Sequence, residues 1–282
     1  EALFREAPEE AGAEEERWQA ESQIQTIPDL LRWAGVRYAG RVALQIRREG
    51  RWERLSYRDL LLRVEATARR WQEWGLAPGQ RVVLYAPNSP EWAVAYLAAS
   101  TLGLSVIPLD PQTRPGELWE LAQFADARAL LTVEANWRVL ADSRPVEIEG
   151  FDIMRGGRLF GAADEEIQVG VGEWQAPLVE ADMTASILFT TGTAVAPRGA
   201  LLSHQSFIAD LLALAEVQRL YETDQMLSLL PLHHGLEFTG GLLMSLWAGA
   251  TTTYLETFNS REILQAIRAT GATALLAVPR LL

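Results

Sequence analysis

Three residue types are absent or scarce in this chain of 282 residues, and each absence narrows its chemistry. Cysteine does not occur, which excludes disulfides and thiolate metal sites. Lysine does not occur either, since all 25 basic residues are arginine, so no lysine of this chain can act in catalysis. With only three histidines (His204, His233 and His234), a histidine-rich metal site is not expected.

The charge balance excludes a further class of function. The formal net charge of −12 argues against a general nucleic-acid-binding surface. Residues 1–20 contain seven glutamates against two arginines, so we expect a solvated acidic arm over residues 1–25. The chain begins with glutamate and shows no basic segment followed by an apolar one, as a signal peptide would, so a cytoplasmic location is expected.

Two uncharged stretches, Trp92–Leu109 and Phe238–Leu255, are long enough to suggest membrane spans. Each contains several hydroxyl side chains. Each also divides at a glycine, Gly103 or Gly249, into an apolar helix and a short apolar strand. Buried α/β elements therefore explain both stretches better than membrane-spanning helices do.

The rest of the pattern alternates strands with helices. Val42–Ile46 and Trp52–Leu55 predict a hairpin that turns at Glu49-Gly50, and Tyr57–Trp74 predicts an amphipathic helix. Alternation of this kind is typical of an α/β fold with layered, mostly parallel sheets flanked by helices. Further strands are predicted at 82–86, 105–109, 129–133, 226–230, 251–255 and 274–278, and further helices from 90 and at 116–126, 205–214, 240–247 and 261–269.

The stretch between Leu188 and His204 carries the strongest functional signal. The apolar run Ser186–Phe189 predicts a buried strand, and a loop of small and hydroxyl-bearing residues follows it. Gly192 is expected to let a backbone amide approach a ligand, and Gly199 to relieve the turn. Together with the hydroxyls and one permanent positive charge, these groups suit an anion such as phosphate. The candidate nucleotide-binding residues are Thr190, Thr191, Gly192, Thr193, Arg198 and Gly199.

This loop resembles the phosphate-binding signature of the adenylate-forming superfamily, which includes acyl-CoA synthetases. That signature reads Thr-Ser-Gly-Thr-Thr-Gly-x-Pro-Lys-Gly and is followed by Ser/Thr-His, here Ser203-His204. Ala194 replaces a threonine, Val195 replaces a glycine and Arg198 replaces the lysine, so one donor hydroxyl is missing and the backbone is more restricted. An ordinary P-loop NTPase is excluded because Gly-x-x-x-x-Gly-Lys-Ser/Thr is absent.

Other segments resemble the same superfamily in the same order and extend the resemblance over residues 26–282. They are Thr26–Leu31, Trp52–Leu60, Gly79–Leu84 with Asn88–Trp92, and Leu230–Gly235. The resemblance implies an incomplete N-terminal domain. Residues 26–190 would form a first α/β part, and residues 191–282 would hold the phosphate loop and the start of a second subdomain.

The superfamily's later motifs are not visible in this sequence: a metal-binding glutamate, a ribose-binding aspartate and a lysine on a mobile C-terminal domain. The resemblance therefore implies that the C-terminal half is absent. It also implies that the isolated chain is inactive, and that apolar surface left exposed favours self-association. No catalytic residue and no metal ligand is assigned within the chain.

The resemblance implies ATP-dependent activation of a carboxylic acid through an acyl-adenylate, as in AMP-forming acyl-CoA synthetases. ATP, Mg²⁺ and coenzyme A would take part, with His234, Gly235 and Leu236 lining the acyl pocket. A fatty acid is the first choice of substrate because the flanking residues are apolar, while aryl acids and a carrier-protein acceptor stay open. The alternative is a degenerate, non-catalytic adenylation fold that binds an acyl group or a partner protein.

Both histidine motifs also have purely structural interpretations. His233-His234 would serve equally well as turn or core residues. His204 is expected to cap or orient the helix that follows it rather than to take part in the chemistry.

Overall fold

The computed structural model describes residues 23–145, 147–160, 174–189, 197–257 and 259–278. Within these ranges, helices and strands alternate along most of the chain. The helices are α1 (Ile27–Arg37), α2 (Tyr57–Glu73), α3 (Pro90–Thr101), α4 (Pro115–Phe124), α5 (Glu134–Leu140), α6 (His204–Val217), α7 (Met244–Ala248) and α8 (Ser260–Thr270). Short 3₁₀ turns occur at Ala141–Ser143 and Ile153–Arg155, and a π-helix at Glu237–Leu243 leads directly into α7.

The strands of the described residues form two sheets. They are β1 (Val42–Arg48), β2 (Arg51–Ser56), β3 (Arg81–Tyr85), β4 (Ser105–Pro108), β5 (Ala127–Thr132), β6 (Glu149–Asp152), β7 (Arg158–Leu159), β8 (Thr184–Phe189), β9 (Gly199–Ser203), β10 (Gln225–Leu227), β11 (Thr251–Tyr254) and β12 (Ala274–Leu275). The large sheet has the order β7-β6-β5-β3-β4-β8-β9, and the small sheet has the order β12-β10-β11-β1-β2.

Both sheets are mostly parallel, as the alternating pattern predicts. The antiparallel neighbours are β7 and β9 at the two edges of the large sheet and β2 at one edge of the small sheet. Each sheet takes strands from both sides of residue 190, because β1 and β2 join β10 to β12 while β9 joins β3 to β8. The predicted division at residues 190/191 is therefore not a boundary between sheets, and the domain limits stay a prediction.

The hairpin of β1 and β2 forms where the sequence predicts it. The two strands pair in antiparallel register from Val42↔Ser56 to Arg48↔Arg51. Glu49 and Gly50 both have positive φ, of 50° and 79°. A two-residue turn with positive φ at both positions matches the right-handed twist of the strands it joins.

The main core lies between the two sheets and is centred on α3. Every residue of α3 except Glu91 is buried, as expected for a helix that is apolar on all sides. Strand β3 contributes to two cores, because Val82 and Leu84 pack in this main core while Val83 faces a second one on the other side of the large sheet. This alternation follows from the two-residue period of a strand.

The two uncharged stretches are buried α/β elements, as predicted. The first consists of α3, Gly103 with a φ of 73°, and β4; the second ends in α7, Gly249 with a φ of 73°, and β11. Of the helices in the described ranges, none is long and apolar enough to cross a membrane.

One ion pair connects the sheets at the start of α3. The guanidinium of Arg48 on β1 contacts both carboxylate oxygens of Glu91, at 2.9 and 2.6 Å. Hydrogen bonding to Glu91 raises the pKa of Arg48. Burial alone would raise the pKa of Glu91, but the hydrogen bonds and the charge of Arg48 outweigh burial, so the pKa of Glu91 is lowered. The pair fixes the β1–β2 hairpin of the small sheet against the helix that follows β3 of the large one.

Candidate functional site

The carboxyl ends of several parallel strands meet in one region. Strands β3, β4 and β8 run parallel in the large sheet, so the residues that follow them lie at the same edge. The segment after β10, residues 228–236, approaches this edge from the small sheet, and we call it the β10 loop. Ligand sites of α/β proteins form outside the carboxyl ends of parallel strands. The predicted pocket residues His234, Gly235 and Leu236 lie in the β10 loop and therefore at this edge.

Asn88, which follows β3, holds the β10 loop against the large sheet. Its amide nitrogen donates to the carbonyl of Leu230 at 2.7 Å, and its amide oxygen accepts from the backbone N–H of Leu232 at 2.9 Å. One side chain thus satisfies backbone groups on both sides of Pro231. The sequence points to Ser89 as the cap of α3, which the structure confirms, but the contacts of Asn88 with a loop more than 140 positions away are not visible in it.

We expect Asn88→Ala to lower the free energy of unfolding by about 2–3 kcal/mol, because it removes two partly buried hydrogen bonds and leaves backbone groups without partners. Urea denaturation of the full-length protein measures the change. Asn136→Ala is the matched control, since Asn136 makes a single bond to the carbonyl of Tyr85. Equal losses for the two variants would contradict the role of Asn88.

The two histidines of the β10 loop lie side by side but differ in exposure. Their ring centroids are 4.2 Å apart, and His233 is mostly covered while His234 is exposed. Burial, reinforced by the neighbouring His234, lowers the pKa of His233 to about 4. His233 is therefore neutral at pH 7, and its approach to Asp110 after β4, at 4.0 Å, is not an ion pair at that pH.

The end of β8 links the predicted pocket residues to the predicted phosphate loop. A methyl group built at Gly235 would lie 3.7 Å from Cδ1 of Leu188, an ordinary packing distance. The next residue, Phe189, pairs with Gly199 across β8 and β9. Leu236, like His234, is exposed. The structure therefore places His234, Gly235 and Leu236 near the base of the loop between β8 and β9.

Of the predicted nucleotide-binding residues, Arg198 and Gly199 lie within the described ranges. Arg198 is exposed and directly precedes β9. Thr190, Thr191, Gly192 and Thr193, together with Ala194 and Val195, lie outside the described residues. The phosphate-binding role of the loop therefore stays a prediction.

Gly199 lies in a strand and not in a turn, which differs from the prediction that it relieves the turn. It is the first residue of β9, and a methyl group built on it would lie 2.8 Å from Cγ2 of Ile187. A side chain at this position would therefore force Ile187 on the neighbouring strand to shift.

His204 does not cap the helix that it begins. Ser203 caps α6, since its hydroxyl accepts from the backbone N–H of Ser206. The imidazole of His204 is fully buried, and its Nδ1 accepts from the backbone N–H of Ile27, the first residue of α1, at 3.4 Å. Burial lowers the pKa of His204 to about 4. His204 therefore ties the β8–β9 hairpin to a helix near the start of the chain.

The sequence prediction missed Glu237, the first residue of the π-helix. Its side chain is 1% exposed, and neither carboxyl oxygen hydrogen-bonds to a described residue. Burial raises its pKa to about 8, and the nearby hydroxyl of Ser228 and amide of Leu230 oppose only part of this effect. A lone acidic residue immediately before an uncharged run was the available signal.

Two comparisons by sequence identify relatives of the chain. Residues 31–282 match the family described as AMP-binding enzyme. A 4-coumarate–CoA ligase of Pinus taeda is 28% identical over 211 residues, which cover 73% of this chain and 39% of that protein. A 4-chlorobenzoate–CoA ligase of an Arthrobacter species is 24% identical over 266 residues, which cover 91% of this chain and 48% of that protein. The chain thus spans less than half the length of these two relatives.

Solved structures show the same fold. An O-succinylbenzoate coenzyme A synthetase of Bacillus subtilis in complex with AMP superposes with a TM-score of 0.72 at 19% identity, covering 89% of this chain and 61% of that one. Fatty acyl-adenylate ligases from E. coli and L. pneumophila give a TM-score of 0.73 at 23% identity, with coverage of 91% and 47%.

Proposed function

The chain belongs to the AMP-binding enzyme family, and we propose that the protein activates a carboxylic acid with ATP. A carboxylate oxygen of the acid attacks the α-phosphorus, the bond to pyrophosphate breaks, and an acyl-adenylate forms. The thiol of coenzyme A then attacks the acyl carbon, and AMP and a proton leave. The observation that carries this proposal is the family match together with the arrangement of the β10 loop and the β8–β9 hairpin at one edge of the sheets.

In this proposal the β8–β9 hairpin holds the phosphates. Thr190, Thr191, Gly192, Thr193 and Gly199 would offer hydroxyl and backbone donors, and Arg198 would supply the positive charge. Positioning of the reacting groups and neutralisation of phosphate charge are the main tasks of a protein in such a transfer.

Mg²⁺ enters the proposal with ATP. The described residues contain no group of three histidine, aspartate or glutamate side chains that could hold a metal ion. Phosphate oxygens, a ligand type that Mg²⁺ favours, would share the ion.

The acid would bind beside His234, Gly235 and Leu236. A fatty acid fits the apolar residues around this tripeptide, and fatty acyl-adenylate ligases share the fold. Aryl acids are the second class, because the two relatives compared above are named for coumarate and chlorobenzoate. The acceptor would be coenzyme A, with a carrier protein as the alternative.

The competing proposal is a degenerate adenylation fold that binds an acyl group or a partner protein without chemistry. Ala194 and Val195 favour it, because they remove a hydroxyl and a flexible backbone position from the phosphate loop. Pyrophosphate exchange by the full-length protein, over a panel of fatty and aryl acids, decides between the two. Exchange that requires one class of acid supports the enzyme and identifies its substrate, and no exchange with any acid supports the non-catalytic fold.

Changes in the phosphate loop should act on ATP kinetics. Arg198→Ala should raise the KM for ATP roughly tenfold, because a charge-assisted hydrogen bond contributes about 1.5–3 kcal/mol. The double change Ala194→Thr with Val195→Gly should lower that KM or raise the rate, because it restores a donor and a flexible backbone position. The KM for the acid should change little in either variant.

Arg261→Ala is the matched control, since Arg261 is an exposed arginine on α8 and not part of the hairpin. If Arg198→Ala behaves like Arg261→Ala and the double change is silent, the loop does not hold phosphate in this protein. The non-catalytic fold would then be the better proposal.

A further inference from the structure

Glu237 lies beneath the β10 loop, where it faces the small sheet. Its neighbours come from three elements: Ser228 and Leu230 in the β10 loop, Tyr254 at the end of β11, and Gly241 one turn further along the π-helix. A methyl group built on Gly241 would lie 2.8 Å from Oε1 of Glu237, so the glycine leaves the space that the carboxyl fills. This carboxyl has no place in the activation chemistry described above.

Burying a polar group without hydrogen-bond partners lowers the stability of the fold, so the presence of a carboxyl at position 237 needs an explanation. Both backbone polar groups of Leu230 have a polar neighbour: Asn88 donates to its carbonyl, and its amide lies beside the carboxyl of Glu237. Beyond Leu230 the loop continues through Leu232, which Asn88 also holds, to the two histidines. Glu237, which lies next to Leu230 on the interior side, is therefore in a position to influence the conformation of the loop.

We propose that Glu237 is a positioning residue of the acid-binding site, and that its carboxyl supports residues 228–230 from the interior and thereby sets the positions of His233 and His234. This inference rests on the proposed function for the identity of the ligand. The geometry itself, a buried carboxyl at the start of a π-helix directly below the loop, does not depend on it. Single π-helical turns frequently occur at functional sites.

The charge of Glu237 provides a way to test this role. Burial raises its pKa to about 8, so the carboxyl is uncharged at pH 7 and charged above pH 9. Tyr254 is the titratable group that faces it from β11, and burial together with Glu237 and Glu91 raises the pKa of that phenol. Glu91 is in turn paired with Arg48, so ionisation between pH 7 and 9 is assigned to Glu237.

Carbon-13 labelling of the histidine ring Cε1 in the full-length protein offers a direct readout once single His→Gln variants assign the signals of His204, His233 and His234. We expect the signals of His233 and His234 to shift with a midpoint near pH 8, the pKa of Glu237, and the signal of His204 to stay unchanged. Glu237→Gln keeps the shape of the side chain but cannot ionise, so the midpoint should disappear. Absence of the midpoint in the wild-type protein, or its persistence in Glu237→Gln, would overturn the proposal.

Kinetics give the second readout. Glu237→Leu should raise the KM for the acid about tenfold, because the hydroxyl of Ser228 and the amide of Leu230 would face a hydrocarbon side chain instead of the carboxyl, and it should leave the KM for ATP within twofold. Glu237→Gln should restore the wild-type value at pH 7. Thr239→Val is the matched control, because Thr239 is an equally buried polar residue of the same π-helix. Equal effects of Glu237→Leu and Thr239→Val would indicate a merely structural role and overturn the proposal.

The two readouts separate the two proposals. If no acid supports exchange in the wild-type protein, the proposed function fails, while the histidine signals still decide whether Glu237 positions the loop. If exchange occurs but the pH dependence of the histidine signals is the same in the wild-type protein and in Glu237→Gln, the positioning role fails and the proposed function stands.

Discussion

Raising the pH from 6.5 to 9 should lower the free energy of unfolding of the wild-type protein, and Glu237→Gln should remove most of this loss. The pKa of Glu237 is about 8 in the folded protein, against an ordinary value of 4.5. Between these two values the folded state binds the proton more tightly than the unfolded state does, so stability falls as the pH rises. The full shift corresponds to an upper bound of about 5 kcal/mol, of which about 2 kcal/mol is lost between pH 6.5 and 9.

Urea denaturation at a series of pH values measures this effect. Glu216→Gln is the control, because it removes an exposed carboxyl and should leave the wild-type slope unchanged. The interpretation fails if Glu237→Gln and Glu216→Gln lose stability equally over this range. In that case the carboxyl of Glu237 ionises as readily in the folded protein as in water.

The second large effect lies on the acidic side and involves His204. Its pKa is about 4 in the folded protein, against 6.5 for an unperturbed histidine, so the unfolded state binds the proton more readily. Stability therefore falls as the pH drops from about 6.5 to 4, by at most about 3 kcal/mol for one such histidine. His233, with a similarly lowered pKa, contributes in the same window.

His204→Phe should remove the contribution of His204 to this acid sensitivity. At pH 7 it should also cost about 1–3 kcal/mol, because the backbone N–H of Ile27 loses its acceptor. His233→Phe should reduce the dependence of the free energy of unfolding on pH to a similar extent. It should not cause the loss at pH 7, since His233 is not the residue that accepts the hydrogen bond from α1. Denaturation curves at pH 4 to 7 compare the three proteins, and a His204→Phe slope identical to that of the wild type would contradict the burial argument.

Local features of the fold are predicted well from the sequence. The β1–β2 hairpin, the cap at Ser89 and the helix–glycine–strand division of both uncharged stretches depend on neighbouring residues, and the structure confirms each of them. The family resemblance is confirmed as well, because it depends on motifs in a fixed order.

Long-range contacts are what the sequence does not reveal. The helix that His204 contacts and the loop that Asn88 holds are distant in sequence, and nothing local distinguishes either side chain from an ordinary cap. The role of Gly199 is hidden for a similar reason, since only the position of Ile187 on the neighbouring strand shows that a side chain there would be crowded. The partners of Glu237 likewise come from separate elements of the fold.

The parallel pairing of β1 with β11 has a consequence for synthesis on the ribosome. Leu44 pairs with Thr252, so β1 leaves the ribosome 208 residues before its partner, the difference between 252 and 44. At a synthesis rate of about 5–20 residues per second, one edge of the nascent hairpin would stay unpaired for on the order of 10–40 s. That edge includes Ala43, Leu44 and Ile46, which are buried in the finished fold. Chaperone binding to the emerging chain should therefore persist until residue 254 has been translated, although the strands described for the large sheet are complete by residue 203.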